Sequence, residues 1–252
     1  NLFYRGLVLQ RAPAIGDTLS TSTEVVALRQ TTPRADRPAS GLAALRVRTS
    51  DQQGRAVLDF HRCAMLPLRD ADARTGRDDS FEPIQAELDG DALRRATASW
   101  RLDALARGGL LAELPPGTRW RVDDGDVVSS APELARLSLN VAAVHHDRAA
   151  HRDGRRLVYG GHTIGVAAAQ ATRSLPEIAT FVGWHSCEHL APVHERDTLR
   201  SELELERHEP LPGGGALAHL RSRVRAWGAD VDARDEAAGR DVLDWRFVAL
   251  VV

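Results

Sequence analysis

The sequence predicts an α+β fold: long antiparallel strands, laid out twice along the chain, wrapped around a buried central helix. Three observations carry that prediction. First, a pattern near the front recurs near the end. Ala12-Pro13 followed by Asp17-Thr18-Leu19 returns as Ala191-Pro192 followed by Asp197-Thr198-Leu199. Downstream, Gly54-Arg55-Ala56-Val57-Leu58-Asp59-Phe60 returns as Gly239-Arg240-Asp241-Val242-Leu243-Asp244-Trp245. The order is kept and the spacing nearly so, which marks a duplication, with shared strand composition as the alternative. Second, the repeated segments carry strand signals. Third, Gly160 to Leu175 holds Ile164, Val166, Ala167, Ala168, Ala169 and Ala171, small and apolar on nearly every face. A helix of that kind is usually buried.

Taken in order, Thr18 to Leu28 is rich in Thr and Val, Ala43 to Arg48 partly alternates, and Ala56 to Leu66 is bounded by Gly54 and Pro67. Each reads as a strand. Residues 69–90 begin with a charged, aperiodic run (Arg69, Asp70, Asp72, Arg74, Arg77, Asp78) and read as a linker. Asp91 to Leu111 is a short helix or a wrapped arm. Arg119 to Val128 is a strand. Ser129 or Ser130 caps a helix whose first turn holds Pro132 and Glu133 and which runs to about Val144. The second copy supplies Thr198 to Arg207, Ala216 to Trp227 and Asp241 to Val252. Leu203 and Leu205 alternate with Glu202, Glu204 and Glu206, so one face is buried and one is wet. Gly213-Gly214-Gly215 joins two of these runs and reads as a hairpin turn. The division expected is 1–68 for the rear part of an N-terminal copy, 69–90 for the linker and 91–252 for a C-terminal catalytic copy.

Composition narrows the function. All 33 basic residues are arginine, so Schiff-base chemistry and a phosphate-loop lysine are excluded. The net charge of −2 argues against a nucleic-acid partner. Hydrophobic residues make up 43%, enough for a real core. No apolar run reaches the roughly 18 residues of a membrane span, so no membrane partner is expected. Cys63 and Cys187 lie far apart, which indicates no disulfide framework and makes a reducing cytoplasm the expected location.

The stretch from Leu137 to Gln170 carries the chemistry. It gathers His145, His146, Asp147, His151 and His162 beside Gly160-Gly161, at the mouth of the buried helix. Histidine titrates near neutrality, so the cluster points to proton transfer or metal binding. Glycines at a helix start let a ligand approach the backbone, and the free N–H groups there can hold a developing oxyanion. A histidine plus helix-start amides is what addition of water to a thioester-conjugated double bond requires.

Here the sequence resembles the MaoC-like hydratases and dehydratases of the hot-dog fold. Their motif is Asp-x-Asn-Pro-x-His, followed downstream by a His-Gly pair that opens the central helix. Laid on this chain, the motif's His falls on His145 and the helix-opening Gly on Gly160. The motif's Asp falls on Asn140, its Asn on Ala142, its Pro on Ala143 and the His before Gly on Tyr159. Asn140 cannot take a proton. A narrower branch, the tandem hot-dog mesaconyl-CoA hydratases or β-methylmalyl-CoA dehydratases, is similar at more positions. These are Asn140-x-Ala142-x-x-His145, Arg155-Arg156-x-Val158-Tyr159-Gly160-Gly161-His162, Gly16-Asp17-Thr18-Leu19, Leu28-Arg29-Gln30 and Val242-Leu243-Asp244.

The resemblance implies a double hot-dog that reversibly adds water across a branched, carboxylated enoyl-CoA. His145 would be the general base and acid, and Asn140 would orient the water or the thioester. The Gly160 and Gly161 amides would form the oxyanion hole. Tyr159 and His162 are further polar candidates. Arg155, Arg156 or Arg173 could meet a substrate carboxylate, since guanidinium pairs with it in bidentate fashion. The first copy would be non-catalytic and support the coenzyme A arm. No cofactor is expected, coenzyme A being part of the substrate, and the expected partners are an acyl-CoA thioester and further copies of the chain in a homo-oligomer.

Plainer readings stand beside these. His145 could be structural, Tyr159 a half-buried aromatic, and Arg155-Arg156 a solvated pair. His185, Cys187 and His189 would share one face of a strand, yet one strand seldom supplies three tetrahedral ligands, so no metal is expected. Cys187 lacks the helix-start position of an activated thiol. A dehydratase of chains on an acyl carrier protein and a non-catalytic acyl-CoA-binding subunit are the competing functions. A thioesterase would need a carboxylate, with Asp147 and Asp153 the nearest. The chain starts at Asn1 and Asp17 has few residues before it. The first copy is therefore expected to be incomplete at its N-terminus.

Overall fold

The duplication takes the form of the same four-strand run built twice. A computed structural model describes residues 2–33, 39–70, 72–105, 110–151, 153–212 and 214–252. By its contacts the chain divides into two units. The first holds Asn1–Arg101 with Phe181–Glu188, and the second holds Leu102–Thr180 with His189–Val252.

The first unit contains β1 (Phe3–Leu9), β2 (Ser20–Gln30), β3 (Ser40–Ser50), β4 (Ala56–Pro67) and α1 (Gly90–Thr97). It also takes Phe181–Glu188 from β7 (Ile178–His189). All neighbours are antiparallel, in the order β2-β3-β4-β1-β7. Phe3, Ala44, Cys63, Phe81 and Ile84 form one cluster of its core. Asp89 caps α1 by accepting the Asp91 amide at 3.0 Å, and Leu93 is fully buried. The segment from Asp91 that reads as a helix or an arm is thus a two-turn helix. Two 3-10 turns follow in the second unit, Leu102–Ala104 and Leu110–Glu113.

The second unit contains β5 (Arg119–Arg121), β6 (Asp126–Val127), α2 (Ala131–Leu137), α3 (Gly160–Ser174), β8 (Thr198–Pro210), β9 (Ala216–Trp227) and β10 (Arg240–Val251). Its strands run β10-β9-β8-β5, with β6 also on β8. The expected strand from Arg119 to Val128 is therefore two short pieces. The two short pieces pair with different parts of the same strand, β8. The Gly-rich turn before β9 is a hairpin between β8 and β9; Gly213 lies outside the described residues.

The repeat goes deeper than residue matches. Asp17 Oδ2 accepts the Ala14 amide and Asp197 Oδ2 accepts the His194 amide, both at 2.8 Å and both three residues back. The residue just before each aspartate has a left-handed backbone: Gly16 at φ +100° and Arg196 at φ +74°. On β3 and β4, Arg46 grips both oxygens of Asp59; on β9 and β10, Arg221 grips both oxygens of Asp244. Equivalent strands are therefore β2 and β8, β3 and β9, β4 and β10. β1 and β7 complete the set: β1 pairs with β4, and β7 is the strand next to β10 in the sheet order.

α3 lies on β8, β9 and β10. Thr163, Ile164, Ala167, Gln170 and Ala171 form its buried stripe, while Gly165, Ala169, Thr172 and Arg173 are exposed. The wet face is built partly from glycine and alanine, which is why the helix reads as apolar all round. Gln170 is fully buried and fully used. Its Nε2 donates to Asp126 and to the Leu199 carbonyl, and its Oε1 accepts from Ser201 at 2.6 Å. A buried amide costs little only when its donors and acceptor are met in this way.

α2 corrects one expectation. The sequence reads as a helix to about Val144, but α2 ends at Leu137. The Leu139 amide donates to the Arg136 carbonyl, the Asn140 amide donates to the Ala135 carbonyl, and Leu139 has φ +55°. That is a Schellman ending, with leucine at the place glycine usually fills. Without a glycine or proline as punctuation, the stop left no signal. Ser130 sits at the N-cap with φ +52°, and its side chain makes no capping bond. No helix among the described residues is long and apolar enough to cross a membrane.

Candidate active site

The candidate residues gather in the second unit, on the irregular segment between α2 and α3 and at the start of α3. The early end of α2 places Asn140 in a loop. Its Oδ1 accepts the Ala142 amide at 3.0 Å, and its carbonyl accepts from His146 Nε2 at 2.5 Å. Those bonds open a 3-10 turn, Ala143–His145, which delivers His145. Asn140 therefore shapes the turn that carries the histidine.

His145 is half-buried, and its Nδ1 lies 2.9 Å from the Leu157 carbonyl. A carbonyl only accepts, so Nδ1 holds the hydrogen and the neutral ring keeps its lone pair on Nε2. Burial pulls the His145 pKa below the ordinary 6.5, partly offset by that carbonyl bond. The Leu157 carbonyl is itself fixed, because the Leu157 amide donates to Val144 and Val158 donates to Val193.

Tyr159 stands edge-on to His145, with ring centroids 5.9 Å apart. It is the N-cap residue of α3, and its ring folds back over the helix start. A Cβ added to Gly161 would meet the Tyr159 ring and hydroxyl at 2.6–2.7 Å. A Cβ added to Gly160 would meet the His189 imidazole at 2.8 Å. Glycine at both places is what lets two rings close on the backbone. The first amides of a helix have no intrahelical acceptor, so the donors here belong to the site. His162 is half-buried, its Nδ1 has no hydrogen-bond partner among the described residues, and burial lowers its pKa. Burial pushes His189 further, down to about 4. Sequence reasoning placed His189 on a strand and missed its position over Gly160, since nothing local links residues so far apart.

The arginines divide. Arg156 pairs with Glu195 and donates to the His146 carbonyl; Arg155 reaches the buried Asp197 at 3.4 Å. Both line an open cavity of about 640 Å³ with Arg148 and Arg196. Arg173 pairs with Asp126 in the last turn of α3. At 1.5 Å per residue it lies roughly 20 Å along the axis from Gly160, too far to meet a substrate there. Asp147 accepts the Ala149 amide and Asp153 accepts from His151, so each candidate thioesterase carboxylate serves its own loop. His185 Nδ1 accepts the Leu88 amide, and Cys187 is fully buried with no helix start behind it.

The double hot-dog protein RV0216 of Mycobacterium tuberculosis, a conserved hypothetical protein essential for bacterial survival during infection, is 47% identical. The match covers 100% of this chain and 75% of that one, with a TM-score of 0.83. The chain belongs to the family of this double hot-dog protein. No family model matches it. Two curated relatives of this double hot-dog protein carry activities in their names. The mesaconyl-CoA hydratase of Cereibacter sphaeroides is 30% identical over 214 residues, or 80% of this chain and 60% of that protein. The β-methylmalyl-CoA dehydratase of Chloroflexus aurantiacus is 28% identical over 239 residues, 90% of this chain and 65% of that protein. The chain thus spans less than two thirds of the length of either curated relative.

Proposed function

We propose that this double hot-dog protein is a hydro-lyase that reversibly adds water to an enoyl-CoA thioester. The observation that carries the reading is His145: its Nδ1 is spent on the Leu157 carbonyl, which leaves the lone pair on Nε2, and its ring stands against Tyr159, the N-cap residue of α3. Nε2 takes a proton from water as the water oxygen bonds to the β-carbon. The double-bond electrons move to the thioester oxygen, where the Gly160 and Gly161 amides meet the charge. The proton then passes from His145 to the α-carbon. Asn140 is a positioning residue, since its Oδ1 is engaged with Ala142. Tyr159 and His162 border the reacting space. Arg155 and Arg156, with Arg148 and Arg196, would face the phosphates of coenzyme A.

The names of the two curated relatives support a branched, carboxylated substrate of the mesaconyl-CoA kind. Asn140 in place of an aspartate favours the alternative, an acyl-CoA-binding subunit without turnover. Loss of enone absorbance on mixing with mesaconyl-CoA, with crotonyl-CoA and an acyl-carrier-protein thioester as comparisons, tests the proposal. His145→Ala should lose about 10²–10⁴ in rate, the usual worth of a general base. An unchanged rate in His145→Ala overturns the base. Saturable thioester binding without turnover overturns the hydro-lyase.

A further inference from the structure

Behind the His145 loop lies a second group of side chains that the proposed chemistry does not use. His151 and Asp153 come from the segment before α3, and His194 comes from the turn before β8. His151 Nδ1 is 2.5 Å from Asp153 Oδ1, and Asp153 Oδ2 is 3.3 Å from His194 Nε2. The two imidazoles stand edge-on with centroids 5.8 Å apart. One donor atom from each residue lies within 4.8 Å of the other two. The His194 side chain is only 6% exposed; its Nδ1 has no hydrogen-bond partner among the described residues, and its Nε2 has only the 3.3 Å approach to Asp153. A buried polar atom left in that condition costs about 1–3 kcal/mol and calls for an account.

We propose that His151, Asp153 and His194 bind one divalent first-row transition-metal ion, zinc fitting the donor set best. Two imidazoles and one carboxylate are the ligands zinc takes, at roughly 2.0–2.2 Å each. Donors on a tetrahedron of that size stand about 3.3–3.5 Å apart, and the Asp153–His194 pair already does. Asp153 is 39% exposed, so water has access to the fourth position. Magnesium and calcium prefer all-oxygen sets and fit poorly.

The ion would join two segments that also meet through the isolated bridge of Leu157 with His194, the Val158–Val193 hydrogen bond and the Arg156–Glu195 and Arg155–Asp197 pairs. Leu157 supplies the carbonyl that fixes the His145 tautomer. The site would therefore clamp the loop that carries His145, whatever reaction that histidine serves.

The test uses the full chain with any affinity tag removed, stripped with a chelator. Zn²⁺ titration by calorimetry should give one ion per chain, with Mg²⁺ at millimolar concentration not competing. Co²⁺ should give the visible absorption of a four-coordinate site. His194→Ala and, separately, His151→Ala should each weaken Zn²⁺ at least about tenfold, as loss of one of three protein ligands requires. His151 is the more exposed of the two, so its variant reports even where His194→Ala fails to fold. His61→Ala, in the first unit, should leave the affinity unchanged. Absence of a one-to-one Zn²⁺ complex, or equal affinity in His151→Ala and the parent, overturns the proposal. None of these metal measurements depends on turnover, so failure here leaves the hydro-lyase assignment standing, and the reverse.

Discussion

Replacing Gly161 by alanine tests the packing at the start of α3. Inside a helix alanine is favoured over glycine by roughly 0.5–1 kcal/mol. An unobstructed site would therefore gain stability. Here the new Cβ would stand 2.6 Å from Cε1 and Cζ of Tyr159 and 2.7 Å from its hydroxyl. Carbon atoms settle about 3.5–4.0 Å apart, so the ring must retreat by about 1 Å. Overpacking of that kind costs about 1–3 kcal/mol. The balance is a net loss of about 0.5–2 kcal/mol. In a Tyr159→Ala background the obstacle is gone, and the same substitution should stabilise by up to about 1 kcal/mol. Urea unfolding of the parent, both single variants and the double variant measures the change of sign. If Gly161→Ala stabilises the parent as much as it stabilises Tyr159→Ala, Tyr159 does not cover the helix start and the account of the site fails.

Leu139→Gly should stabilise by about 1 kcal/mol, because it relieves a left-handed leucine at the end of α2. Leu139 is 84% exposed, so little packing is lost, and an unchanged or lower urea midpoint would refute the Schellman ending. Asp197→Ala should cost about 3 kcal/mol, since Asp197 is fully buried and serves the His194 amide, Arg155 and Arg240; a loss below that of the less buried equivalent Asp17→Ala would contradict it. His145 stays neutral below the ordinary 6.5 because burial disfavours its charged form. The unfolded chain takes up that proton first, so the His145 contribution to stability falls as pH drops through 6.5 and levels below the folded value. The acid limb of kcat/KM should accordingly lie below pH 6.5 for the parent, and a limb above 6.5 would refute the buried, neutral histidine.

Most of the strand plan is legible in the sequence. Ala216 to Trp227 is observed as read, and Ala56 to Leu66 and Asp241 to Val252 are each within one residue at either end. Their apolar-rich runs and the glycines that bound them are local properties of the chain. β1 was not legible and β7 was read only at its His185–His189 end, because Gly6 and Gly183 interrupt the pattern. α2 was overrun for a different reason: its stop is made by backbone hydrogen bonds, with leucine in the glycine position.

For the site, sequence alone determined the helix start at Gly160-Gly161, the histidine cluster before it and the doubled Asp-Thr-Leu turn. Each of these is a short string whose physics is contained in neighbouring residues. Only the tertiary structure decided which atoms meet. Leu157 became the acceptor for His145, Tyr159 the cover over Gly161, His189 the ring over Gly160, and His194 the third member beside His151 and Asp153. Those partners are separated by up to tens of residues, and side-chain reach spans a few ångströms. Nothing in the local pattern could join them until the strands set the loops side by side.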